Sequence, residues 1–275
     1  MPSDSIALTT VVYNNYTVLE DFMKSLKDQT HTEYHLYIAD ASLHKKRIDY
    51  PNIHYTVIPC ENRGYAYGIN LGLKAALKDG YTQFCVINDD VYFEKDFLST
   101  MSTTLKEHPA SLVGGLIYYA PHHEYHTDRY EKKDLGRVIW YAGGISDWNH
   151  ALTNHRGVDE VDTGQFGREE KTEFITGCLV CFDKSVIDMI GLWDENYFLY
   201  YEDADYSERA KQKNIPLFYI PHLKLWHKNA QSTDGAGSKL HHYYQERSRV
   251  RYALKYAPFK TKMHVLWNFI KNRTT

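Results

Sequence analysis

Apolar positions in the first hundred residues switch repeatedly between two periods. Ile6 to Tyr13 is a β-rich run. Val18, Leu19, Phe22, Met23 and Leu26 then fall on one helical face behind Thr17-x-x-Glu20, which reads as a capping box. Tyr34 to Ala39 alternates as a strand ending at Asp40, and Ile53 to Ile58 reads as a third strand. Tyr65 to Leu77 predicts a helix after Asn62-Arg63-Gly64. Phe84 to Ile87 is a short buried strand running into Asn88-Asp89-Asp90. A helix over Phe97 to Leu105 and a strand over Leu112 to Tyr118 follow. This rhythm predicts an α/β fold, with a mainly parallel, Rossmann-like central sheet flanked by helices. Ligands of such sheets bind at the carboxyl ends of the strands, where Asp40 and Asn88-Asp89-Asp90 stand.

From His122 to Glu173 the pattern breaks into segments rich in Gly, Asp, His and aromatics, read as irregular loops and short strands over the sheet edge. Periodicity returns with a strand over Phe174-Ile-Thr-Gly-Cys-Leu-Val-Cys-Phe182 and a helix over Lys184 to Ile190. A helix from Glu202 to Lys213 and two strands, Pro216 to Ile220 and Leu223 to Trp226, come next. The tail from His241 is helical and basic: from Glu246 onward it holds four Arg and four Lys against one Glu. The expected organisation is a main domain over 1–240, with halves meeting at about 120, and a C-terminal extension over 241–275.

A net charge of −3 argues against general nucleic-acid binding. The N-terminus lacks the basic region of a signal peptide, and no apolar run approaches the ~20 residues of a membrane span, so a cytoplasmic location is expected. The four cysteines, Cys60, Cys85, Cys178 and Cys181, read as buried thiols. Cys178-x-x-Cys181 on a strand would point its thiols to opposite faces and could not share a zinc ion. The 24 tyrosines suit carbohydrate or nucleobase contact, and equally suit ordinary strand positions.

Four constellations carry candidate chemistry. Asn88-Asp89-Asp90 is either a solvated turn or a seat for a hard divalent cation that also holds phosphates. Tyr200-Tyr201-Glu202-Asp203-Ala204-Asp205 with Arg209 fits a helix N-terminus with an i,i+4 ion pair. Its aromatic lead-in from Tyr197 also fits a desolvated, basic carboxylate. Trp226-His227-Lys228, with Ser232 beyond, offers an imidazole that is either structural or a ligand beside Asp90. Asn62-Arg63-Gly64-Tyr65-Ala66-Tyr67-Gly68-Ile69-Asn70 would let backbone approach phosphate or ribose. No G-x-G-x-x-G follows the first strand, which counts against a dinucleotide-dependent oxidoreductase.

In this order VVYNN, IADAS, ENRGYAYGIN, VINDDVYF, TEFITGCLVCF, IGLWDENYFLYYEDADYSERAKQ and LWHKNAQS resemble family 2 glycosyltransferases of the GT-A fold, in their rhamnosyltransferase-like branch. The resemblance covers about Ile6 to Ser232. It implies an inverting transfer from a nucleotide-diphosphate sugar to a glycan or lipid-linked acceptor in cell-surface polysaccharide synthesis. dTDP-rhamnose is the first donor implied, with UDP-galactofuranose, UDP-glucose and UDP-galactose behind it. It implies Asp203 as general base with Glu202 beside it. It implies Asp90, Asn88 and His227 as ligands of Mn²⁺ or Mg²⁺, although Asn88 replaces the first Asp of the family's Asp-x-Asp. Tyr13, Asp40, Asn62, Arg63, Gly64, Asn70, Asp89 and Gly177 would surround the nucleotide sugar. A degenerate glycan-binding protein and a sugar nucleotidyltransferase are the competing readings; the second would need a Gly-rich basic loop that VVYNNYTVLEDF lacks. For Phe259, Met263, Leu266, Trp267, Phe269 and Ile270, mixed with Lys260, Lys262, Lys271 and Arg273, two roles stand level. One is peripheral contact with the inner face of the membrane; the other is packing on protein, including a homodimer.

Overall fold

The computed structural model describes residues 4–229 and 239–274; Ser232 and the side chain of Arg273 lie outside the described residues. The first half alternates as the apolar pattern predicts: β1 (Ile6–Val12), α1 (Leu19–Lys27), β2 (Tyr34–Asp40), β3 (Tyr55–Pro59), α2 (Tyr65–Lys78), β4 (Gln83–Ile87), β5 (Val91–Phe93), α3 (Phe97–Glu107) and β6 (Leu112–Tyr119). Short strands β7 (Ile139–Tyr141), β8 (Gly144–Asp147), β9 (Leu152–His155) and β10 (Glu170–Lys171) fill the irregular segment. The remainder is β11 (Leu179–Asp183), α4 (Lys184–Ile190), α5 (Glu202–Gln212), β12 (Leu217–His227), α6 (Lys239–Tyr256) and α7 (Phe259–Thr274).

The main sheet runs β10-β12-β6-β11-β4-β1-β2-β3, with β5 paired to β12 and β7 to β6. Strands β4, β1, β2 and β3 are parallel neighbours, as are β6 and β12. Antiparallel β11 joins these two parallel groups. β4 and β11 are buried over most of their length, as strands covered on both faces must be. The buried faces of α1 (Leu19, Phe22, Met23, Leu26, as predicted) and α3 (Phe97, Leu98, Met101, Leu105) pack into one apolar cluster. Those of α2 (Ala66, Ile69, Leu73, Ala76) join Val186, Tyr206 and Ala210 in the other.

Several local expectations are corrected. No side chain caps α1; the Thr17 hydroxyl donates to Asn15 Oδ1 instead, so the capping box does not form. The strand expected over Phe174 to Phe182 begins only at Leu179, because Thr176 to Cys178 turn into the site described below. The two late strands are one, β12, whose register shifts between Ile220 and Lys224 around Pro221. All four cysteines are free thiols, but Cys60 is half-buried rather than buried.

The basic tail is not a loose appendage. Val250, Tyr252 and Ala253 of α6, Ala257 just beyond it and Val265 of α7 are part of the first core cluster. Ser248 donates to the Leu199 carbonyl, and Lys255 and Tyr256 bond Asp205 of α5. Among the described residues no helix is long and apolar enough to cross a membrane.

Candidate active site

The carboxyl ends of β4, β1 and β2 lie side by side and present Asn88-Asp89-Asp90, Tyr13 and Asp40 along one edge. Asp40 is 1% exposed. The Tyr16 hydroxyl lies 3.0 and 2.9 Å from its two oxygens, and the Ser42 N–H donates to Oδ1 at 3.0 Å. The carboxylate is thus fixed at the strand end. Tyr13 is half-buried just beyond β1.

Strand pairing explains how distant residues meet at the acidic turn. Antiparallel β5 and β12 place His227 opposite Val91, so the next residues along, Asp90 and Lys228, adjoin; the Lys228 N–H donates to the Asp90 carbonyl at 2.9 Å. His227 Nε2 then lies 3.1 Å from Asp90 Oδ1, and both residues are only 4% exposed. The other imidazole nitrogen, Nδ1, is buried and has no hydrogen-bond partner among the described residues. Burial, and then the adjacent Asp90, push the Asp89 carboxyl well above the usual range.

The helix carboxylates are aimed by an unusual approach. Tyr200 (φ 65°) and Tyr201 (φ 67°) both take the left-handed conformation immediately before α5. For bulky residues this costs about 1–3 kcal/mol each, and such strain gathers at functional sites. Aromatic packing holds it: Tyr201 lies 5.2 Å from the Tyr252 ring. Glu202 and Asp203 follow at the first turn. Asp203 Oδ2 accepts from the Gly177 N–H at 2.7 Å and Oδ1 from the Ala204 N–H at 2.8 Å. Burial raises the Asp203 carboxyl, and these backbone donors pull it partly back. Burial and then Asp203 raise Glu202 well above its usual range, and Glu202 Oε2 is buried without a hydrogen-bond partner among the described residues.

A single side chain ties the two acidic centres together. The Tyr65 hydroxyl lies 3.0 Å from Asn88 Oδ1 and 3.0 Å from the Gly177 carbonyl. From there the Gly177 N–H reaches Asp203. The Asn88 N–H also donates to the Cys178 carbonyl at 3.1 Å. Burial, and then the charges of Asp90 and Asp203, raise the Cys178 thiol. These contacts bring residues 88, 90, 203 and 227 together beyond the carboxyl end of β4.

Other expected residues stand elsewhere or do other work. Asn70 does not face the cleft contacts: its amide donates to the Trp193 carbonyl and Glu195 Oε1 and accepts from the Trp193 N–H, holding that loop on α2. Gly64 has φ 104°, and a Cβ there would collide with the Phe198 carbonyl and lie 2.7 Å from its Cα. The close approach that Gly64 permits is therefore made by the chain itself, with the Tyr65 N–H donating to the Phe198 carbonyl at 2.9 Å. Asn62 accepts from the Gly64 N–H, and the exposed Arg63 guanidinium lies 4.4 Å from the Tyr67 ring centre. Asp205 is structural: it bonds Arg209 at 2.9 Å, Tyr256 at 2.8 Å, and Lys255.

Sequence reasoning did not single out Tyr65, Tyr16 or Trp140. Tyr65 had a readable signal, as the first helical residue after a strained glycine. Trp140, whose ring centre lies 4.6 Å from that of His227, sits in the segment without periodicity and had none.

A mainly parallel α/β sheet with an acidic turn at a central strand end and a carboxylate-bearing helix beside it is the GT-A arrangement. A family model described as "Glycosyl transferase family 2" matches residues 8–188, and the chain belongs to that family. It is 22% identical over 187 residues to the dTDP-rhamnosyl transferase RfbF of Shigella flexneri, covering 68% of this chain and 55% of the relative. It is 23% identical over 165 residues to the low-salt glycan biosynthesis hexosyltransferase Agl10 of Haloferax volcanii, covering 60% and 48%. The chain thus spans about half the length of the curated relatives it matches. Among solved structures, GalNAc-T7 with UDP, GalNAc and Mn²⁺ matches with a TM-score of 0.65 at 14% identity, over 90% of this chain and 47% of that one. The mannosyltransferase PcManGT from Pyrobaculum calidifontis, in complex with GDP-Man and Mn²⁺, matches at 0.54 and 14%, over 94% and 68%.

Among the described residues no group of three or more His, Cys, Asp or Glu could by itself hold a metal ion. The Asp90–His227 pair nevertheless fits a divalent cation. A hard ion commonly takes one or two protein ligands and completes its shell with substrate phosphates and water. Asp90 supplies one carboxylate oxygen of that kind, and His227 adds an imidazole nitrogen beside it. Asn88 Oδ1, engaged by Tyr65, is committed away from this pair.

Proposed function

We propose that this chain is an inverting hexosyltransferase that moves a sugar from a nucleotide-diphosphate donor to a glycan acceptor, with Asp203 as the general base. The observation that carries this reading is the Asn88–Tyr65–Gly177–Asp203 connection, which sets the acidic strand end and the helix carboxylate on one cleft. Tyr13, Asp40 and the Asn62–Gly64 turn border the nucleotide, and Asp90 with His227 would hold Mn²⁺ or Mg²⁺. When bound there, the ion supplies positive charge opposite the departing diphosphate.

Asp203 takes the proton of an acceptor hydroxyl as its oxygen bonds to the anomeric carbon. The bond from that carbon to the diphosphate breaks, and the nucleoside diphosphate leaves with the electron pair. One displacement inverts the anomeric centre. Burial that raises the Asp203 carboxyl makes it a stronger base than a solvated aspartate, and the Gly177 and Ala204 N–H groups fix its direction. The strained Tyr200-Tyr201 approach supports the same reading, because it is the device that turns the carboxylates into the cleft.

Similarity to a dTDP-rhamnosyl transferase favours dTDP-rhamnose as donor, with UDP-sugars second, and an acceptor in cell-surface polysaccharide synthesis. The proposed catalytic unit spans 1–240. A peripheral contact with an anionic membrane belongs to the same reading: Phe259, Met263, Trp267 and Ile270 lie exposed along one face of α7, with Lys260 and Lys271 beside them. Nucleotide release from a panel of dTDP- and UDP-sugars, with glycan acceptor, and with Mn²⁺ or EDTA, tests the proposal. Acceptor-stimulated, EDTA-sensitive release from one donor is expected. Binding of glycan without nucleotide release from any donor would contradict it.

A further inference from the structure

A groove of about 820 Å³ lies between α6, α7 and the turn at Asp194–Asn196, and it shares no residue with the cleft described above. Arg247 and Arg251, one helical turn apart on α6, line it. They also line an adjoining cavity of about 190 Å³. Neither guanidinium pairs with a carboxylate among the described residues. Arg247 Nη1 donates to the Tyr243 hydroxyl at 3.4 Å, and Arg251 lies 5.8 Å from the Tyr197 ring centre. Other arginines on this molecule do find acids: Arg47 pairs with Asp49, Arg156 with Glu170 and Arg209 with Asp205. The carboxylate in the groove, Asp194, is already matched, because Lys255 binds it at 2.8 Å. Two like charges at i,i+4 repel, so an anion between them would relieve a standing cost. Val250, Leu254 and Phe269 supply the apolar part of the wall, and Asn196, Tyr243 and Lys255 complete the lining.

We propose that this groove binds the phosphate head of an amphiphile. Two guanidinium forks match the oxygens of a phosphate monoester in a way that single lysines cannot. Leu254, which is exposed, and Phe269 offer the apolar surface on which an attached chain would lie. The site is separate from the donor cleft and stands independently of the glycosyl-transfer reading.

The test is calorimetric titration of the full chain with dodecyl phosphate below its micelle concentration, against inorganic phosphate and dodecyl maltoside. The expected result is dodecyl phosphate binding at least tenfold more tightly than either. R247Q/R251Q should weaken it at least tenfold, with melting temperature and nucleoside-diphosphate affinity unchanged. R247K/R251K, which keeps charge but not the fork, should fall between. Wild-type affinity in the double glutamine variant would overturn the proposal. Equal affinity for dodecyl maltoside would reduce the groove to an apolar surface, and equal affinity for inorganic phosphate to a simple anion site; either would also overturn it.

Discussion

Glu202 and Asp203 are neighbours in the chain with unlike surroundings. Asp203 receives two backbone N–H groups, whereas Glu202 Oε2 is buried with no donor among the described residues. The folded state therefore holds a proton on Glu202 more tightly than the unfolded chain does. For a raised carboxyl the sign is a loss of stability as pH climbs above the unfolded value of about 4.3. Glu202→Gln removes that loss, so the variant should melt at least ~2 °C above wild type at pH 7.5 and equal it near pH 4, read by differential scanning calorimetry. Tyr65 makes a different prediction. Burial keeps its phenol far above ordinary titration, so it acts as a fixed hydroxyl. Tyr65→Phe should lower turnover about tenfold or more by loosening Gly177 and Asn88 against Asp203, with a loss of stability of only ~1 kcal/mol.

At the level of elements, the junction between α2 and the segment before α5 controls the cleft. Gly64 permits Phe198 to pass against the helix start. Gly64→Ala adds both a left-handed alanine and a backbone collision. It should cost about 2 kcal/mol or more and impair activity together with stability, measured by urea denaturation and donor turnover. α7 carries the second prediction. Because Val265 packs inward while Met263 and Trp267 are exposed, Met263→Ser/Trp267→Ser should leave the fold intact. It should reduce co-sedimentation with phosphatidylglycerol vesicles at least about tenfold. Unchanged sedimentation would end the membrane reading of this helix. Deleting the whole tail would be a poor test, since α6 contributes to the core.

Across the whole molecule, the parts legible in the sequence were those set by local period and strand-end chemistry. The face of α1, the helix α2, the end of β2 at Asp40 and the acidic turn after β4 follow from local pattern. What escaped was decided by tertiary partners. Thr17 is the local exception: it could cap α1, but its hydroxyl goes to Asn15, two residues back. Asn70 stands in a stretch suggestive of ligand contact, but the Trp193 loop takes its amide. Asp205 and Arg209 announce an i,i+4 pair, but nothing local shows that Lys255 and Tyr256 arrive from α6 to complete it. That network has its own consequence. Asp205 is 0% exposed, so Lys255→Met, which strips one of its donors, should destabilise the chain by about 1–3 kcal/mol in chemical denaturation. It would also loosen the tail from α5, the helix that bears Asp203.

The sharpest test is a paired measurement on Asp203→Asn and Asp90→Asn with the donor that supports turnover. Asp203→Asn should lose about 10²–10⁴-fold in kcat while binding nucleoside diphosphate with Mn²⁺ as wild type does. Asp90→Asn should lose the Mn²⁺-dependent part of that binding. Full turnover in Asp203→Asn, or undiminished Mn²⁺-dependent binding in Asp90→Asn, would contradict a shared cleft in which one carboxylate takes the proton and the other faces the departing diphosphate.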